Sequence, residues 1–138
     1  MRADVDWADI DPVTWDADYS EPRISSVFAI DPALMWGMTE GHTDGLVGDV
    51  TLMSLGEGED RLLATNFDLS GLPAVMPDAD IMRIPSGAHF SVLPVCKPQG
   101  AAILKEEGDD PVCTDPDGTD RAVLHERIIS AMAAKLGL

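Results

Sequence analysis

Glycine and proline punctuate this chain so often that its apolar runs stay short: 12 glycines and 10 prolines fall among 138 residues. Only near the C-terminus does a helical period last. Val123, Leu124, Ile128, Met132 and Leu136 recur at roughly every fourth position. Thr119 or Asp120 precedes them as a cap, and Gly137 follows as a stop. The spacing predicts a helix over 120–136, long enough to cover one face of a sheet.

The body reads as short strands separated by turns. Ile24–Ile30, Leu46–Leu55, Arg61–Asn66, Asp80–Ile84, Ala88–Leu93 and Ala101–Leu104 carry the β-branched or alternating runs. Gly56-Glu57-Gly58-Glu59-Asp60 reads as a hairpin loop, with Arg61–Asn66 as the returning strand. Asp31-Pro32 offers a cap and first-turn proline for one helical turn through Ala33, Leu34 and Trp36. The expected architecture is mainly β: a small β-sandwich or barrel of short antiparallel strands, with an extended N-terminal arm and a C-terminal helix. Residues 1–22 form the acidic, aromatic arm and 23–138 a single β-rich domain.

Charge narrows what such a fold does. Asp and Glu number 25 against 9 Lys and Arg, giving a net charge of −16, and 18 of the acids are Asp. Only Lys97, Lys105 and Lys135 represent lysine. Small domains carry a net charge of roughly 2 to 8 in magnitude, and a larger one destabilises the compact state by self-repulsion. Concentrated salt removes that cost, because the Debye length falls to about 3 Å at 1 M. Short acids with so little lysine resemble, in composition, proteins of extremely salt-loving organisms and their viruses. A mean hydropathy of +0.02 and 45% hydrophobic residues argue against a disordered acidic chain. With no basic patch, direct nucleic-acid binding is not expected. No apolar run approaches a membrane span and no apolar leader opens the chain, so a cytoplasmic or virion location is expected.

The arm alternates acids with Trp7, Ile10, Val13, Trp15 and Tyr19. Indoles have no use in a solvated tail; they suit pockets on a neighbouring subunit, the alternative being that both rings fold back on this subunit's own core. Trp7, Ile10, Trp15 and Tyr19 are therefore the partner-binding candidates, the partners being other protein subunits in a homo- or hetero-oligomeric assembly. Met35, Met38, Met53, Met76 and Met82 add adaptable packing surface.

Chemistry is sparsely marked. Asp115-Pro116-Asp117-Gly118-Thr119-Asp120 places alternate oxygen ligands around a glycine, so Asp115, Asp117 and Asp120 form a candidate weak site for Ca²⁺, Mg²⁺ or Na⁺. It is no EF-hand: counting from Asp115, the sixth place is Asp120 rather than glycine. Cys96 and Cys113 lack zinc-ligand spacing and read as two free, half-buried thiols, a single bridge being the alternative. His42, His89 and His125 stand alone and read as structural. No nucleophile elbow, phosphate loop or dinucleotide fingerprint is present, and no cofactor is expected. The expected role is a non-catalytic structural subunit of a large assembly from a halophile: a capsid-decoration, head-completion or tail protein of a virion. Two other classes remain: an acidic nucleic-acid mimic inhibiting a DNA-binding protein, and a small cytoplasmic enzyme using a Cys or carboxylate site.

Overall fold

The structure, a computed structural model, describes residues 7–15, 17–19, 21–46 and 48–138. Its elements are α1 (Pro12–Trp15), β1 (Ser26–Ile30), β2 (Asp49–Leu55), α2 (Phe67–Ser70), α3 (Leu72–Val75), β3 (Asp80–Ile84), α4 (Gly100–Glu107) and α5 (Arg121–Leu136). Short 3-10 turns lie between them, the first over Trp7–Asp9.

The three strands form one open sheet in the order β1-β2-β3, and both pairings are parallel. Ser26 stands opposite Asp49 and Ile30 opposite Met53; on the other side Thr51 stands opposite Asp80 and Leu55 opposite Ile84. The expectation of a sandwich or barrel of antiparallel strands is therefore overturned. Parallel strands need long crossovers and are covered on both faces, so a central strand reads as an apolar run rather than a clean alternation. β2 is such a strand, buried from Val50 to Leu55.

Its side chains divide between two cores. Val50 and Leu52 pack with Phe67 and Leu72, and Ala29, Ile81 and three half-buried methionines or their neighbours close that side. Met53 and Leu55 face the other way, onto Ile84 and onto Leu124 and Ile128 of α5. The terminal helix thus covers one face of the sheet, and the crossover carrying α2 and α3 covers the other. Asp120 caps α5 by accepting from Ala122 N and Val123 N at 3.0 and 3.2 Å.

Three runs expected as strands adopt other forms. Arg61–Asn66 does not return alongside β2: Asn66 caps α2 through Leu69 N, and the chain travels on to enter the sheet again, parallel, at Asp80. Ala88–Leu93 curls into a 3-10 turn over His89–Val92 because Ser91 Oγ accepts from Ala88 N. Ala101–Leu104 lies inside α4. The turn needs Gly87, whose φ is +91° and where a Cβ would sit 2.7 Å from Leu124 Cδ2. The Asp31-Pro32 segment makes no helical turn; Asp31 and Leu34 instead adopt positive φ of 49° and 61°.

Cys96 and Cys113 are joined by a disulfide, correcting the reading of two free thiols. Sequence spacing alone could not bring them together. Lys97–Gly100 and α4 fold the chain back, and Gly100 makes room: a Cβ there would lie 3.0 Å from Cys113 Sγ.

Candidate functional site

Because the strands are parallel, Ile30, Leu55 and Ile84 all deliver the chain to the same edge of the sheet. In open α/β sheets this carboxyl edge is where ligands and reactive groups collect. The first residue beyond β1 is Asp31, with a side chain only 1% exposed. Its backbone N donates to Met53 O at 2.7 Å, and its Oδ1 accepts from Leu55 N at 3.1 Å. The carboxylate thereby extends the β1–β2 pairing beyond the last register pair. Its left-handed backbone is a conformation Asp tolerates better than most residues.

Two basic side chains converge on this carboxylate. His89 Nδ1 lies 2.9 Å from Oδ2, and Arg61 Nη2 lies 3.8 Å from Oδ1. His89 keeps about a third of its side chain exposed, whereas Arg61 keeps 6%. Arg61 Nη1 and Nη2 donate to Leu55 O and Thr65 O at 3.3 and 2.6 Å. Its guanidinium lies 4.8 Å from the centre of the Phe67 ring. Asp31 orients His89 through Nδ1, which is the orienting half of a general-base pair. Ser91 is fully buried and hydrogen-bonded to Asp115, and both cysteines are bridged, so none of these three supplies a nucleophile to the pair.

Arg61 also borders a cleft of about 310 Å³ beyond β2 and β3, together with Ser54, Gly56, Asn66, Asp68 and Arg83. Arg83 makes a two-pronged ion pair with Asp68, both contacts being 2.7 Å. Those hydrogen bonds hold the Asp68 carboxyl below its ordinary value.

The candidate cation ligands are drawn to other partners. Asp115 turns inward, accepting from Ser91 Oγ at 2.6 Å and from Arg121 Nε and Nη2 at 2.9 and 2.8 Å. Asp120 caps α5, and Asp117 is exposed. Among the described residues no group of three His, Cys, Asp or Glu is placed to hold a metal. Of the partner-binding candidates, Ile10 is half-buried and Tyr19 is exposed, its hydroxyl donating to Thr14 O. The side chains of Trp7 and Trp15 lie outside the described part of the structure.

Sequence reading missed Asp31, Arg61 and His89 as a group. Asp31 resembled a helix cap, Arg61 the start of a strand, and His89 a lone structural residue within another. The available signal was Asp31 immediately after a strand, a position that acquires meaning only once the sheet is known to be parallel.

The Asp115 cluster has a defined response to acid. Burial works to raise the Asp115 carboxyl, but hydrogen bonds from Arg121 and Ser91 outweigh it and hold the group below the ordinary aspartate value of 3.8. A depressed carboxyl stabilises the folded chain fully above the unfolded value, and that contribution fades as pH falls through the folded value. Urea midpoints of the native chain and Asp115→Asn are therefore expected to differ at neutral pH and to converge below 3.8. A constant gap down to the lowest pH would remove Asp115 as the source.

Neither protein-family models, curated proteins nor solved structures show a match to this chain. Among the described residues no helix is long and apolar enough to cross a membrane. The fold and site together define a small α/β protein with an open parallel sheet and a polar cluster at its carboxyl edge.

Proposed function

We propose that this protein is a non-catalytic subunit of a larger protein assembly that works in concentrated salt, its simplest partner being further copies of itself. The observation that carries this reading is an apolar patch held at a conformational cost. Leu34 N donates to Ala64 O at 3.0 Å, setting the loop after β1 beside the Leu63–Thr65 turn. Leu34 is 79% exposed, Leu63 63% and Leu62 43%. A leucine at φ +61° is strained by about 1–2 kcal/mol, while its side chain stays largely exposed. Acid-rich surfaces repel one another in dilute buffer, so the same patch meets its partner most readily when salt screens the charge. A small shell or tail component of a halophile's virus is the kind of subunit this describes.

Sedimentation of the full chain at about 0.1 M and about 3 M KCl tests the reading, since that range spans the screening of surface charge. Assembly is expected at high salt and a monomer at low salt. Leu34→Gly relieves the backbone, so it is expected to keep the subunit as stable as before, or up to about 1 kcal/mol more so, while weakening assembly. A monomer at both salt concentrations would sink the proposal.

A further inference from the structure

We propose that the disulfide-closed excursion around α4 is a landing surface for the acidic arm, residues 1–22, of a second copy of this chain. The inference rests on the assembly reading and names two parts that meet in it.

The acids of this chain stop at Asp80 and resume at Glu106, and no other gap between successive acids exceeds nine residues. Within that gap the stretch from Leu93 to Lys105 lies at the surface, each residue exposed or half-buried. Leu93, Val95 and Ile103 are exposed apolar side chains on it. Lys97 and Lys105 are exposed too, and among the described residues neither is ion-paired. Arg23, Arg83, Arg121 and Lys135, by contrast, each hold a carboxylate. In a protein of net charge −16, two unpaired lysines on an acid-free apolar surface stand out as a place where a carboxylate meets no repulsion.

This surface is pinned although it serves neither core. No residue of α4 is buried, yet the Cys96–Cys113 bridge closes the excursion and Gly100, the first residue of the helix, packs against both cysteines. A surface already held in shape loses little freedom when a partner settles on it. Beside α4 lies a groove of about 540 Å³ bordered by Ala101, Leu104, Lys105, Pro111 and Thr114, with Asp109 as the acid in its lining. The arm is the complement. Residues 1–22 carry seven acids against Arg2, a net charge of −6, whereas 93–105 carries +2 and no acid. Val13 and Tyr19 of the arm are 79% and 71% exposed, so their own chain does not seat them. The contact joins two unlike patches. It therefore runs head to tail from copy to copy, building rings or open rows rather than closing as a two-fold pair.

A fluorescein-labelled peptide of residues 1–22 is the probe, and anisotropy reads its binding to the full chain. The receiving chain carries Val13→Asp and Tyr19→Asp, which disable its own arm and leave the α4 surface free. About 1 M KCl screens the long-range repulsion between peptide and chain. Saturable binding is expected. Lys97→Glu with Lys105→Glu in the receiving chain is expected to weaken it at least several-fold, and Val95→Asp, placed in the same stretch, is expected to do likewise. All three sites are exposed, and circular dichroism checks that the receiving chains stay folded. Chains that assemble in sedimentation but bind no peptide would overturn this inference and leave the assembly reading standing. Peptide binding by a chain that stays monomeric at every salt concentration would support the contact and remove the assembly reading. Binding indifferent to both the lysine reversals and Val95→Asp would overturn the proposal.

Discussion

Asp31→Ala is expected to destabilise the protein by about 3–5 kcal/mol, the range for removing one partner from a buried charged group. The substitution strands three neighbours at once. Leu55 N loses its acceptor, His89 loses its orienting oxygen, and Arg61 is left as a buried cation without its anion. Alanine must also adopt the left-handed backbone that Asp31 holds at φ 49°. Asp31→Asn separates these contributions. Asparagine tolerates that backbone and still offers an oxygen to Leu55 N, so it is expected to lose only the charge-dependent share. Urea unfolding monitored by circular dichroism reads both variants. If alanine costs no more than asparagine, neither the charge nor the hydrogen bond to β2 holds this edge together.

Loss of the disulfide ranks second. Replacing Cys96 and Cys113 together by serine is expected to cost about 3 kcal/mol, because the bridge restrains a loop of 17 residues in the unfolded chain. Reducing the native protein is expected to move the urea midpoint by the same amount. The bridge does not act alone on this loop. Arg121 donates to Pro94 O and Val112 O, so it gathers the two ends of the loop within two residues of each cysteine. Arg121→Ala is therefore expected to cost more in the absence of the bridge than in its presence, a coupling that a double-mutant cycle measures. Equal midpoints with and without reductant would show that Arg121 and its carbonyl partners suffice to hold the segment.

The terminal helix and the strands it covers differ in how plainly the sequence writes them. The terminal helix was legible because its period, cap and stop agree: Leu124 and Ile128 are buried where the spacing placed them, and Asp120 and Gly137 mark its ends. The three strands were also visible as apolar runs, Asp80–Ile84 with its observed limits. Their direction was not. A run such as Val50–Leu55 looks the same whether its neighbour lies parallel or antiparallel, and Gly56–Asp60 resembles a hairpin as closely as the start of a crossover. Short runs such as Ala101–Leu104 satisfy strand and helix alike; here the run lies in α4, whose first residue, Gly100, packs against the Cys96–Cys113 bridge. The Asp31 cluster was hidden for the same reason. Asp31, Arg61 and His89 are separated by 30 and 28 positions, and only the parallel connection brings them to one edge. The Leu34 patch is equally a product of backbone geometry that no sequence periodicity records.

The placement of α5 after all three strands has a consequence during synthesis. One face of the sheet, with Met53, Leu55 and Ile84, finds its cover only in residues translated after the strands themselves. While the ribosome still holds that helix in its tunnel, the emerging sheet presents bare apolar surface to the surrounding medium. Such half-made species are those that stick to one another. A dense coat of like charge on the nascent chain is then a safeguard as well as a surface, keeping growing copies apart until each has closed its own core.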